Sequence, residues 1–119
     1  MMQNEQLVET QQSYYDYVVK LQDGCQQIAN SLRAGEQSQA YQMIANLSEG
    51  IEWMITVEKY MFDNFFCINS RLKEVIEKLS DLNVALEAND FMEAANLFEK
   101  EIGPMFVSAS EWTFERMKQ

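Results

Sequence analysis

Histidine is absent from the 119-residue chain, which removes the side chain most often used as a general base near neutral pH. Serine–histidine and cysteine–histidine nucleophile pairs, most zinc sites and the Glu-x-x-His motif of di-iron bundles are excluded with it. The sequence also lacks a glycine-rich phosphate loop. Glu49 and Glu52 have the helical spacing to share a hard cation, but this spacing is common on helix surfaces. We therefore expect a protein that is not an enzyme and that uses neither metal nor cofactor.

Glycine, proline and basic residues are also scarce. Four glycines and one proline are too few for the turns of an all-β domain, so the composition predicts helices. Nine basic residues against nineteen acidic ones give a net charge of −10. This balance argues against binding to nucleic acid or to an anionic membrane. It agrees with simple solubility and also with a basic protein partner.

Cysteines and long apolar runs are few. The first residues lack the basic and apolar regions of a secretory signal. We therefore expect Cys25 and Cys67 to be free, buried thiols in a cytoplasmic protein. No stretch approaches the 18 uninterrupted apolar residues of a membrane-spanning helix. Hydrophobic residues make up 47% of the chain, enough for one folded domain over residues 1–119.

Two similar joints divide the chain. Residues 31–36 align with residues 85–90 at a constant offset, which places Gly35 opposite Asn89. Both residue types adopt the left-handed conformation that ends a helix. Asp90 can then cap the following helix, with a glutamate three residues later. We interpret the match as two joints of similar chemistry rather than as a duplication, and it predicts two helical hairpins.

Apolar residues recur at alternating spacings of four and three, which is the packing seam of an antiparallel bundle. The predicted helices run from about Asn4 to Ala34, from near Glu36, from about Ile68 to Ala88, and from Phe91 to near the end. The predicted fold is all-α, an antiparallel four-helix bundle of two helical hairpins.

Several seam positions lead to specific expectations. Leu47, Leu79 and Phe98 lie in the middle of their seams and should be buried. Glu58 falls on the second seam and interrupts it. Gly24 lies inside the first predicted helix, where its usual explanation is the close packing of another helix.

The stretch from Met61 to Ser70 leaves two architectures open. It contains turn-forming residues but neither glycine nor proline, and the heptad register passes through it unchanged. We favour a break here. The alternative fuses the second and third helices into one rod of roughly 80 Å at 1.5 Å per residue, which only a homodimer or a higher assembly would cover.

Two sets of apolar residues lie away from the seams and are candidate partner-binding residues: Trp53, Val57 and Tyr60 on a flank of the second helix, and Val107 and Phe114 opposite the seam of the fourth. A bundle of four helices cannot easily bury both a seam and its opposite face. At least one set should therefore be exposed, or buried against another chain. In the other interpretation, Pro104 breaks the last helix and turns Phe114 inward and Trp112 outward.

The segment from Leu21 to Met54 contains three further motifs: Leu-Gln-Asp-Gly-Cys, Ile-Ala-Asn-Ser-Leu-Arg-Ala-Gly-Glu and Leu-Ser-Glu-Gly-Ile. In this third of the chain the sequence resembles the central helices of bacterial flagellar export chaperones, where a glycine-bearing helix ends in a Gly-Glu or Gly-Asp joint. The second half, with Gly103-Pro104 and Trp112, departs from that family's pattern. The resemblance implies a cytoplasmic, non-enzymatic protein that holds a helical segment of a partner, and it transfers no individual binding residue.

The leading functional hypothesis is a helical interaction protein, chaperone-like or adaptor-like, that binds an apolar or helical segment of a partner protein. Eight methionines would suit an adaptable surface. One alternative is a structural homo-oligomer whose only partner is itself. The other is an acidic inhibitor that covers a basic site on another protein.

Overall fold

The computed structural model describes residues 2–118, with side chains from Asn4 to Lys118. Within this range the α-helices and β-strands are, in order, α1 (Met2–Val18), α2 (Leu21–Arg33), α3 (Gln37–Asp63), β1 (Phe66–Ile68), α4 (Leu72–Glu87), α5 (Phe91–Asn96) and β2 (Phe114–Arg116). Between α5 and β2 the chain passes through a π-helical turn (Leu97–Ile102) and two 3-10 turns (Gly103–Phe106 and Ala109–Glu111).

The all-α prediction is confirmed, since helices pack as two hairpins, α2 with α3 and α4 with α5. The molecule measures 50 × 22 × 21 Å. Helix α2 is central, because it contacts α3, α5 and the turns that follow α5. Helix α1 packs on α3 and on the last 3-10 turn, at the other end of the bundle.

The two predicted joints form as expected. Gly35 and Asn89 have φ angles of 78° and 56°. The amide of Glu36 donates to the Ser31 carbonyl at 3.0 Å, and the amide of Asp90 donates to the Ala85 carbonyl at 2.8 Å, so each joint is a Schellman motif. Asp90 also accepts a hydrogen bond from the Glu93 amide at 3.1 Å, as an N-cap residue does.

The first predicted helix is interrupted, which the heptad pattern did not indicate. A turn at Val19 and Lys20 separates α1 from α2. Lys20 keeps right-handed helical angles of −91° and −11°, so the seam continues across a kink. The adjacent β-branched residues Val18 and Val19 lower the local helix propensity, and Val18 is fully buried while Val19 remains half-exposed.

The expected break between the second and third predicted helices is confirmed, and the single long rod is wrong. Helix α3 ends at Asp63 and α4 begins at Leu72. The Asn64 side chain donates to the Tyr60 carbonyl at 2.8 Å, and Phe65 takes a positive φ of 69°. That conformation redirects the chain into β1. The sequence did not indicate it, because the segment contains no glycine.

The fourth predicted helix is shorter than expected. Pro104 has no amide proton, and the preceding Gly103 donates instead to the Phe98 carbonyl five residues back. A Cβ atom at Gly103 would lie 2.7 Å from that oxygen, so only glycine fits. Beyond Pro104 the chain forms 3-10 turns and then β2, which pairs antiparallel with β1. The all-α prediction therefore did not include this small sheet, and a chain with no paired strands is wrong for β1 and β2.

The core agrees with most seam positions. Leu47 and Phe98 are buried, as predicted, whereas Leu79 is only partly buried. A Cβ atom at Gly24 would meet nothing within 4 Å, so the expected close packing there is wrong. The close approach occurs at Gly50, where a Cβ atom would overlap the Tyr17 hydroxyl.

Candidate partner-binding surfaces

The structure divides each predicted partner-binding set between surface and core. Trp53 and Tyr60 are 36% exposed and Val107 is 60% exposed, but Val57 and Phe114 are buried. Val57 is buried because it shares the inward stripe of α3 with Met54 and Met61. Phe114 is buried because the break at Pro104 carries it into β2. The alternative in which Phe114 turns inward is therefore confirmed over its assignment to a partner surface, but the outward turn of Trp112 that this alternative included is wrong, since Trp112 is buried too.

Trp53 and Phe114, which were predicted in different sets, both pack against Tyr14. The Tyr14 ring lies 6.2 Å from Trp53 and 5.1 Å from Phe114, measured between centroids. Tyr15 also contacts Phe114, at 5.9 Å, and Tyr17 contacts Trp53 edge-on at 5.5 Å. We call Tyr14, Tyr15, Tyr17 and Trp53 the aromatic cluster. Tyr14, Tyr15 and Tyr17 lie within four residues of one another in the sequence, but the sequence does not show their common partners.

A network of hydrogen bonds between polar side chains holds the Tyr14 ring of the aromatic cluster in place. The Tyr14 hydroxyl donates to the Glu58 carboxylate, and the Ser70 hydroxyl donates to the same oxygen at 2.7 Å. Burial, reinforced by the neighbouring Glu58, raises the pKa of Tyr14, so its hydroxyl stays protonated and remains a donor. This network explains why Glu58 interrupts the α3 seam. It connects α1, α3 and the segment before α4.

Strand β2 is held by both backbone and side-chain contacts. Its residues pair in register with β1: Phe66 with Arg116, Cys67 with Glu115 and Ile68 with Phe114. The amide of Phe114 donates to the Tyr15 hydroxyl at 2.8 Å. The guanidinium of Arg116 lies 4.9 Å from the Phe66 ring centroid. We call the surface that receives β2, made of β1, Asn69, Tyr14 and Tyr15, the β2 site.

The two ends of β2 are also anchored to the loop around β1. The Thr113 amide donates to the Asn69 side chain at 2.9 Å. The Met117 amide donates to the Phe65 carbonyl at 2.7 Å. The β2 site therefore contacts an extended segment along five residues, 113–117. Proteins that bind a β-strand of a partner use contacts of the same kind.

A second surface lies between α3 and α4. This α3–α4 groove has a volume of about 450 Å³ and is lined mainly by apolar atoms of Ile55, Glu58, Leu72, Lys73, Ile76 and Glu77. Leu72 is buried, while Ile55 and Ile76 are 43% and 39% exposed. Two exposed isoleucines facing one groove are the kind of apolar surface that partners cover.

A smaller polar depression lies between α2 and the π-helical turn, with a volume of about 290 Å³. Two of its lining side chains are joined, since Gln26 donates to Glu99 at 3.2 Å, and Arg33 from outside the depression donates to Glu99 at 2.9 Å. The hydrogen bond from Arg33 lowers the pKa of Glu99. These contacts join α2 to the π-helical turn.

The two cysteines differ in environment. Cys25 is buried, as predicted, and burial raises the pKa of its thiol to about 12. Cys67 is exposed on β1, which contradicts the expectation that both would be buried. Among residues 2–118 no group of three or more histidine, cysteine, aspartate or glutamate side chains is placed to hold a metal ion. In the same range no helix combines the length and apolar character needed to cross a bilayer.

Comparison with known proteins gives one family. A search of curated proteins and a search of solved structures each found no match. A family model described as a domain of unknown function, DUF8042, matches residues 9–111. The matched region runs from α1 to the end of the last 3-10 turn, so it includes the aromatic cluster, β1 and the α3–α4 groove and stops before β2. Since this region covers most of the chain, the protein belongs to the DUF8042 family.

Proposed function

We propose that the protein is a non-enzymatic interaction protein of the cytoplasm, adaptor-like or chaperone-like, which holds an apolar helical segment of a partner protein. The observation that carries this proposal is the α3–α4 groove, with Ile55 and Ile76 exposed on its two walls. Side chains of this kind are normally buried, and a helix with apolar residues at i, i+3, i+4 and i+7 would cover both walls.

The groove lies on a longer apolar line. Tyr41, Ile55 and Phe62 are separated by multiples of seven on α3, and all three are exposed. On α4, Leu79 and Leu86 follow Leu72 at intervals of seven and are only partly buried. Residues at this spacing share one face of a helix. Ser48 interrupts the line between Tyr41 and Ile55, so its continuous apolar part on α3 spans about two turns, from Ile55 to Phe62.

Charge favours a different protein over a second copy. Each chain has a net charge of −10, and two such chains repel when they approach. Acidic Glu58 and Glu77 line the groove beside a single lysine, Lys73. A partner helix with basic residues flanking its apolar face would complement these carboxylates. The structural homo-oligomer and the acidic inhibitor remain the alternative hypotheses.

Groove variants test the proposal. The tagged full chain would be used to capture proteins from a cytosolic extract, with quantitative mass spectrometry, alongside Ile55→Glu and Ile76→Glu. Val84→Glu is the matched control, because Val84 is 68% exposed on α4 and does not line the groove. We expect both groove variants to lose a protein that the wild type and the control retain.

Two outcomes would contradict the proposal. The first is equal capture by the wild type and both groove variants. The second is a wild-type mass, measured by light scattering, of twice the monomer value that falls to the monomer value in the groove variants, which would support the homo-oligomer instead.

A further inference from the structure

The β2 site is formed largely by residues that other elements hold in place. Tyr14 is fully buried and is fixed through Glu58 to Ser70. Trp53 packs on Tyr14 from α3. These contacts do not involve β2, so the aromatic wall of the site would persist if β2 left it.

Strand β2, by contrast, is short and lies at the surface. It has three residues, of which Glu115 and Arg116 are exposed. A ladder this short at the surface belongs to the least stable part of a fold. The large inward contact of the strand itself is the Phe114 ring, packed on Tyr14 and Tyr15.

Backbone strain occurs at the same place. Phe65 has a positive φ of 69°, which is a genuine outlier for a bulky side chain. Its carbonyl accepts the hydrogen bond from Met117, and its ring is 50% exposed. Strained residues of this kind concentrate at ligand clamps and switch regions.

We propose that the β2 site is a docking site for an extended segment of another protein, carrying an aromatic residue followed two positions later by an arginine, and that β2 occupies it as an internal ligand. The aromatic residue takes the place of Phe114, and the arginine takes the place of Arg116 over the Phe66 ring. The partner segment adds to β1 by the same backbone hydrogen bonds that β2 makes.

Charge favours a segment of a different protein over a second copy of this chain. The chain as a whole is strongly acidic, whereas residues 111–118 are neutral, because Glu111 and Glu115 balance Arg116 and Lys118. A second copy of the chain would bring its own charge of −10 to the site. The β2 site also lies within the region matched by the family model, while β2 lies outside it. The site is distinct from the α3–α4 groove, with which it shares only the buried support from Glu58.

The experiment uses the full chain and a fluorescein-labelled peptide, Glu-Trp-Thr-Phe-Glu-Arg-Met-Lys, which copies residues 111–118. In the wild type β2 competes with the peptide. The apparent Kd of the peptide is its intrinsic Kd divided by the fraction of chains in which β2 has left the site. We expect the full-length Phe114→Ala variant to bind the peptide at least about tenfold more tightly than the wild type, measured by fluorescence anisotropy. A peptide with serine at its phenylalanine and arginine positions should lose this binding.

A second variant is needed because Phe114→Ala truncates a buried ring and can unfold the protein. Arg116→Glu changes an exposed residue and removes its contact with Phe66 without opening the core. It should raise peptide affinity by a smaller factor than Phe114→Ala, while the far-ultraviolet circular dichroism stays that of the wild type. Equal affinity of all three proteins for the peptide, or equal binding of the serine-substituted peptide, would overturn the proposal.

Cys67 allows the docking register to be tested directly. It pairs with Glu115 across the ladder and is exposed, whereas Cys25 is buried. A peptide with cysteine at the position of Glu115, supplied as its mixed disulfide with glutathione, would react with the Cys67 thiolate. The peptide–Cys67 disulfide would form and glutathione thiolate would leave. In the Phe114→Ala variant this peptide should couple faster than one with cysteine at the position of Thr113.

Cys67 can also show whether the site is occupied by β2 of the same chain or by β2 of a second copy. In the full chain with Glu115→Cys, oxidised in a glutathione buffer, a disulfide to Cys67 within one chain supports the internal-ligand arrangement. Predominant disulfide-linked dimers would mean that two copies exchange their strands, and the assignment to a different protein would be overturned.

Discussion

The two ends of the bundle are held together by different kinds of contact. The joint end, around Gly35 and Asn89, is fixed by hydrogen bonds between residues close in sequence and by a surface ion pair from Arg33 to Glu99 at 2.9 Å. The strand end, around β1 and β2, is fixed by buried rings and by hydrogen bonds between residues up to 99 positions apart. We infer that the joint end sets the local geometry, while the strand end couples distant parts of the chain and includes the two surfaces proposed above for partners.

The largest expected effect comes from removing the central ring of the strand end. Tyr14→Ala empties a fully buried site and should lower the free energy of unfolding by about 3–5 kcal/mol. Urea denaturation followed by circular dichroism measures it. The matched control at the joint end is Tyr41→Ala, because Tyr41 is 42% exposed and packs edge-on against Phe91. A loss at Tyr41 as large as at Tyr14 would remove the distinction between the two ends.

A smaller effect should follow from deleting only the Tyr14 hydroxyl. Tyr14→Phe keeps the ring but takes one donor from Glu58, which then retains Ser70 alone. Losing one hydrogen bond to a charged, partly buried carboxylate costs about 1–3 kcal/mol. Urea denaturation of this variant, compared with Tyr41→Phe at the exposed Tyr41, measures the loss. Stability equal to that of the wild type would show that the network does not hold the strand end together.

Two glycines should respond in opposite directions. Gly35→Ala places a side chain at a φ of 78° and should destabilise the protein by about 1–2 kcal/mol. Gly24→Ala adds a Cβ atom to a helix where nothing lies within 4 Å, and should stabilise it by about 0.5–1 kcal/mol. Thermal unfolding of both variants measures the difference. A loss of stability in both would show that Gly24 has a packing role after all.

The smallest effect is expected for the ion pair of the joint end. Arg33 lowers the pKa of Glu99 in the folded protein. The stabilisation is therefore present above the unfolded pKa of a glutamate and is lost as the pH falls through the lower folded value. Denaturation midpoints of the wild type and Arg33→Gln should differ slightly at pH 7 and converge in acid, below about pH 4. A gap that widens in acid would contradict this assignment.

The features predictable from sequence are those determined by neighbouring residues. Gly35, Asn89 and Asp90 specify the two joints through backbone preference and capping alone, and the alternating seam correctly placed Leu47 and Phe98 in the core. Pro104 correctly predicted a break, because its missing amide proton acts locally. Each of these signals needs no knowledge of where the rest of the chain lies.

The features that escaped prediction depend on contacts across the chain. Strands β1 and β2 have three residues each, too short for an alternating pattern to appear, and Phe65 gives no sequence sign of its positive φ. Phe114 was assigned to a helical face that does not exist, because the chain becomes extended before it. Val57 was assigned to a flank that α3 buries. Tyr14, Glu58 and Ser70 meet only after three elements have packed, so neither candidate set revealed their network.

The positions of the two tryptophans have a spectroscopic consequence. Trp53 packs between Tyr14 and Tyr17, and Trp112 is buried against Phe106. They are the only tryptophans in the sequence, and both report on the strand end. Intrinsic fluorescence therefore follows that end, whereas far-ultraviolet circular dichroism averages over all the helices. If the two signals change at different denaturant concentrations, the bundle unfolds in more than one cooperative step, with its aromatic end as a separate unit.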